Sequence, residues 1–121
     1  MLTGRHFLNV DDLTTPELEN VLELTAKLKK QRQSGEHHPL LAGKSLAMIF
    51  LQPSNRTRVS FEVGMYQLGG KTVNIRPNEI RLGEREPVAD VARVLSRYVV
   101  GIMMRDVSPS TLTEFSQYSP G

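Results

Sequence analysis

The 121-residue sequence contains no cysteine and no tryptophan. Without cysteine, disulfides, thiol catalysis and a cysteine-ligated zinc site are all excluded. With 3 tyrosines and 4 phenylalanines as the only aromatics, little is available for base stacking, which argues against single-stranded nucleic acid as a ligand. The net charge of +2 is too small to imply a nucleic-acid partner by itself. No stretch approaches the roughly 20 apolar residues of a membrane span, so no membrane partner is expected. Residues Met1 to Leu8 lack the apolar centre of a secretory signal, so a cytoplasmic address is expected. Neither a G-x-x-x-x-G-K-[ST] loop nor a G-x-G-x-x-G turn occurs, which argues against a nucleoside triphosphate.

The residues that are present are ordinary for a soluble globular domain, with 39% hydrophobic and 23% charged. The length suits a single domain over residues 1–121, burying about two-thirds of its unfolded surface. Lysines dominate the first part of the chain, whereas arginines recur from Arg56 onward: Arg58, Arg76, Arg81, Arg85, Arg93, Arg97 and Arg105. Arginine suits planar oxyanion recognition better than lysine does, so the composition points to a small anionic ligand.

The chemistry concentrates between Leu51 and Glu62. Ser45 to Leu51 reads as a buried strand, and the segment after Pro53 reads as a tight loop opening into a helix. The first turn of a helix carries backbone N–H groups without intrahelical partners and the positive end of the macrodipole. Anions settle at such places, and here the turn also carries the hydroxyls of Ser54 and Thr57 and the guanidinium groups of Arg56 and Arg58. Charged hydrogen bonds contribute about 1.5–3 kcal/mol each, so this set could hold a phosphate dianion. Arg58 has a second reading as the partner of Glu62 one turn on.

The rest of the chain alternates. Thr14 or Thr15, Pro16 and Glu17 mark the start of an amphipathic helix with Leu18, Val21, Leu22, Thr25 and Leu28 on one face, ended by Ser34-Gly35 and read as a packing element. His37-His38 reads as two exposed loop histidines, because no third metal ligand stands at helical spacing. Val59 to Leu68 is helical and Gly69-Gly70 terminates it. Lys71 to Ile75 is a short β-branched strand. After a polar loop from Arg76 to Glu86, Pro87 opens a helix with Val88, Val91, Ala92 and Leu95 inside and Asp90, Arg93 and Arg97 mostly outside. Tyr98 to Met104 reads as a third buried strand, and Ser110 or Thr111 starts a last helix reaching Tyr118. Alternating strands and helices predict an α/β fold, a three-layer sandwich with a central parallel sheet and helices on both faces. Ligands bind such sheets beyond the carboxyl ends of the strands. If the first and third strands are neighbours, Arg56 and Arg105 converge on one anion.

With these residues in place the chain resembles a known family. Ser54-Asn-Arg-Thr-Arg58, inside Phe50-Leu-Gln-Pro-Ser-Asn-Arg-Thr-Arg-Val-Ser-Phe-Glu62, is similar to the Ser-Thr-Arg-Thr-Arg signature of the aspartate and ornithine carbamoyltransferases. Leu82-Gly-x-x-Glu86, Asp90-Val-Ala-Arg-Val-Leu-Ser-Arg97, Ile102-Met-Met-Arg105 and the opening Arg5-His-Phe-Leu-Asn-Val-Asp-Asp-Leu-Thr14 resemble the ornithine branch. The resemblance implies a carbamoyl-phosphate-binding domain of a homotrimeric transferase in arginine biosynthesis, moving the carbamoyl group to the side-chain amine of ornithine. It implies that Ser54, the backbone of Asn55, Arg56 and Thr57 hold the phosphate, and that Thr57 and Arg105 reach the carbamoyl oxygen. No cofactor and no metal are implied.

Three positions depart from the family pattern. Asn55 stands where the family usually has Thr, Arg81 occupies the place of a Gln that reaches into a neighbouring subunit's site, and Val100-Gly101 replaces Asp-Ala. The sequence also ends at Gly121, ahead of the family's His-Pro-x-Gln motif and amino-acid-binding domain. The expectation is therefore an N-terminal portion that binds weakly and does not turn over alone. Alternatives are a sister enzyme using putrescine, aspartate or an acylated ornithine, a non-catalytic phosphate-binding or assembly module, and basic loops that bind nucleic acid.

Overall fold

The computed structural model describes all residues except 1, 3, 38, 51, 53, 77–86, 106, 120 and 121. A 3-10 turn at Val10–Asp12 precedes α1 (Thr15–Gln33), β1 (Ser45–Phe50), α2 (Arg56–Gln67), β2 (Lys71–Ile75), α3 (Val88–Ser96), β3 (Gly101–Arg105) and α4 (Pro109–Gln117). The strands form one sheet in the order β2-β1-β3, and both pairings are parallel. The central strand is the most apolar, as burial on both faces demands: Ala47, Met48, Ile49 and Phe50 are all buried.

Strand alternation divides these side chains between two layers. Ile49, opposite Ile75 on one side and Met104 on the other, packs with Val88, Val91 and Ala92 of α3 and Phe115 of α4. Leu46 points to the other face, where it lines a hollow open to solvent together with Phe61 and Met65 of α2 and Leu68, the residue that ends the helix. Helices on both faces of a parallel sheet give the three-layer sandwich that the sequence predicts. Gly70 shows how closely α2 returns to the sheet, since a Cβ there would stand 2.6 Å from Met65 Cε and 3.1 Å from the Lys44 carbonyl oxygen.

Two boundaries differ from the sequence reading, each because a helix terminus claims residues with strand propensity or cap chemistry. The N–H groups of Tyr98 and Val99 both donate to the Leu95 carbonyl, at 2.9 and 3.1 Å, and finish α3. The third strand therefore starts at Gly101 rather than Tyr98, and Tyr98 is exposed. At α4, Ser108 is the cap, its hydroxyl accepting from the Thr111 N–H at 3.2 Å, and Pro109 fills the first turn. Helix α1 departs in a different way. None of its residues is buried, and Val21, Leu22 and Leu24 stand exposed. Helical spacing identifies the face that could be covered, whereas covering it needs an apolar surface that no described element supplies.

The start of α1 is nonetheless tightly tied. Thr14 and Glu17 form a reciprocal capping box, with Thr14 N–H donating to Glu17 Oε1 at 2.9 Å and Glu17 N–H to Thr14 Oγ1 at 3.2 Å. Arg5 also donates to Glu17. The Thr14 N–H first, and Arg5 second, pull the Glu17 carboxyl down from 4.5 to about 2. A carboxylate whose folded pKa is depressed adds stability that is fully present above its unfolded pKa and is lost as pH falls through the folded one. An acid titration of thermal stability should therefore lose a Glu17 contribution between about pH 4.5 and 2, and Glu17→Gln should flatten that limb. Identical acid limbs in both proteins would show that folding does not hold the Glu17 carboxyl below its unfolded pKa.

Candidate functional site

Parallel pairing puts the carboxyl ends of β1 and β3 side by side, with Phe50 opposite Arg105. Ser54 and Asn55 lead from β1 into α2, and Arg105 ends β3, so two segments far apart in sequence meet at one edge of the sheet. Arg105 Nη1 donates to Ser54 Oγ at 3.0 Å and to Thr57 Oγ1. The hydroxyls accept from a cation, so each keeps its own proton to donate elsewhere, and the charged donor polarises it for doing so. The neighbour relation expected between the first and third strands holds, and it brings Arg105 to Ser54 and Thr57.

The N-terminus of α2 differs from those of α1 and α4. Thr14 and Ser108 adopt extended backbone, with ψ of 164° and 151°, and each accepts a capping bond. Asn55 instead sits at φ −98° and ψ −54°, in the helical region, and its side chain makes no capping bond. No acidic residue occupies the first turn. The turn thus presents N–H groups and a positive dipole end with no carboxylate beside them, which is the arrangement that attracts an anion.

The remaining arginines divide. Arg56 is exposed and makes no hydrogen bond or ion pair among the described residues. Arg58 is engaged, Nη1 to Glu62 Oε1 at 3.1 Å and Nη2 to Asn55 Oδ1 at 3.4 Å. Of its two sequence readings the ion pair is the one formed, and the link to Asn55 is a contact the sequence pattern did not signal. Arg81 lies outside the described residues, as does His38. Among the described residues no cluster of three or more His, Asp and Glu could hold a metal.

Residues 5–120 match the family described as aspartate/ornithine carbamoyltransferase, carbamoyl-P binding domain. The chain belongs to this family. It is 52% identical over 115 residues to the ornithine carbamoyltransferase of Methanocorpusculum labreanum, covering 95% of this chain and 38% of that protein. The structure of ornithine carbamoyltransferase from Pyrococcus furiosus superposes with a TM-score of 0.94 at 43% identity, covering 98% of this chain and 38% of that one. Aspartate transcarbamoylase from Trypanosoma cruzi in complex with phosphate superposes at 0.85 with 26% identity, over 98% of this chain and 37% of that one. The chain thus spans under two-fifths of the length of the carbamoyltransferases it matches, the part that corresponds to the family's carbamoyl-phosphate-binding domain.

Proposed function

We propose that this chain supplies the carbamoyl-phosphate site of an ornithine carbamoyltransferase, which transfers the carbamoyl group to the side-chain amine of ornithine and yields citrulline and phosphate. The observation that carries the proposal is Arg105 reaching from β3 to Ser54 and Thr57 at the uncapped start of α2. Ser54, the Asn55 N–H, Arg56 and Thr57 hold the phosphate in this reading, and Thr57 with Arg105 faces the carbamoyl oxygen. The uncharged amine attacks the carbamoyl carbon, a C–N bond forms, and negative charge grows on the carbamoyl oxygen. The C–O bond to phosphate then breaks, the amine loses its proton, and phosphate departs with its charge increased. Donors fixed at both positions before reaction stabilise that transition state more than the ground state.

Ornithine is favoured over aspartate as acceptor because relatives named ornithine carbamoyltransferase are 31–52% identical, whereas the aspartate transcarbamoylase with bound phosphate is 26% identical. The acceptor domain, the role in arginine biosynthesis, the cytoplasmic address, the homotrimer and a place for Arg81 in a neighbouring subunit's site all belong to the same proposal. Among the described residues no helix is long and apolar enough to cross a membrane. The open hollow of about 340 Å³ lined by Leu46, Phe61, Met65 and Leu68 gives a self-associating chain apolar surface to cover.

Calorimetric titration with carbamoyl phosphate tests the site. Binding should weaken about 10- to 100-fold in Arg56→Ala, the loss of one charged hydrogen bond to phosphate. Equal affinity in the two proteins would overturn the placement of phosphate at Arg56, and no binding by the parent chain would overturn a carbamoyl-phosphate site in these residues.

A further inference from the structure

Asparagine is among the strongest helix N-cap residues, and a capping Asn55 would accept from the Thr57 or Arg58 N–H, consuming donors that the proposed phosphate site requires. It does not cap. Its backbone is helical at ψ −54°, whereas the two side-chain-capped helices have extended backbone at the same position. The Asn55 amide oxygen is instead taken by Arg58 Nη2 at 3.4 Å, and Arg58 is in turn anchored by Glu62 Oε1 at 3.1 Å on the next turn of α2. A half turn of ψ at Asn55 would convert the present conformer into a capped one. That rotation would also redirect the peptide that joins Asn55 to α2.

We infer that Arg58, held by Glu62, is a positioning residue that keeps Asn55 from capping α2 and so leaves the first-turn N–H groups open to an anion. The inference rests on the proposed carbamoyl-phosphate site, because it explains how that site stays available when no ligand is present. Asn55 makes such a device necessary, since its side chain is long enough to cap and polar enough to favour doing so. The positive charge of Arg58 serves here through Asn55 and not through contact with the phosphate.

Two measurements on the 121-residue chain test it with Arg58→Met, which keeps most of the aliphatic stem and removes both hydrogen bonds, and with Arg58→Met/Asn55→Ala, in which no cap can form. Amide hydrogen exchange in the ligand-free proteins should slow at position 57 or 58 in Arg58→Met and return to the parent rate in the double variant. This readout needs no ligand. Carbamoyl-phosphate affinity should fall about fivefold in Arg58→Met, the factor an ordinary N-cap bond represents, and should recover in the double variant. Loss of a positive charge alone would weaken binding equally in both, and that result, or unchanged first-turn exchange in Arg58→Met, would overturn the inference. Failure of the parent chain to bind carbamoyl phosphate would instead overturn the site, with the exchange result still deciding the role of Arg58.

Discussion

Arg105→Ala is expected to lower carbamoyl-phosphate affinity by about 10²- to 10³-fold while leaving thermal stability nearly unchanged. Arg105 stands exposed at the end of β3, so its removal opens no core cavity, and substitutions at such positions usually shift stability by within about 0.5 kcal/mol. Two losses add at the site. The cation itself goes, worth about 1.5–3 kcal/mol for each charged hydrogen bond it would make to ligand in the proposed site. The hydroxyls of Ser54 and Thr57 also lose the donor that fixes and polarises them. Arg105→Lys should recover little, because an ammonium on a flexible stem does not reproduce a planar fork whose Nη1 holds both hydroxyls while its other N–H groups stay available to the proposed ligand. Calorimetry with parallel thermal melts checks both halves. Near-parental affinity in Arg105→Lys would show that a point charge suffices, and that the bridge to Ser54 and Thr57 is incidental.

The edge of the sheet that carries the candidate site was legible in the sequence to the extent that topology could be read. Phe50 and Arg105 are 55 positions apart, yet they pair because an apolar strand followed by a helix, repeated, gives a parallel sheet whose strand ends share one edge. That logic placed Arg105 at the same sheet edge as the Ser54 to Arg58 loop and expected it to converge with Arg56; the contacts formed are instead to Ser54 and Thr57. The strand ends were less legible where two local codes overlap. Tyr98-Val-Val100 has the composition of a strand, but the last carbonyls of α3 need donors, and the nearest N–H groups supply them. The Asn55 to Arg58 contact was illegible for another reason. An Asn before a helix ordinarily signals a cap, and only the arginine three residues on, itself tied to Glu62, reverses that expectation. Burial of α1 could not be read at all, since amphipathic spacing describes one surface and says nothing of its partner.

Phe115→Ala should be the most damaging single change to the fold, costing about 3–5 kcal/mol, against the roughly 5–15 kcal/mol that stabilises a typical domain. Phe115 is 3% exposed and lies against Ile49, Val88, Val91 and Ala92, so it joins the α3–α4 layer to the central strand. Truncation would leave a cavity against side chains that come from different elements, which limits how far any one of them can relax to fill it. Tyr98→Ala is the matched control, since Tyr98 is 80% exposed and the same loss of aromatic surface should cost little there. Denaturant titration of the parent and both variants gives the comparison, with a parental midpoint in Phe115→Ala counting against the packing account. Ligand separates this defect from that of Arg105→Ala. A protein that is merely less stable still binds when folded, and saturating carbamoyl phosphate shifts its folding equilibrium by RT ln(1 + [L]/Kd). Phe115→Ala should therefore show a low melting temperature that rises with ligand as the parent's does, whereas Arg105→Ala should melt like the parent and respond to ligand only at much higher concentration.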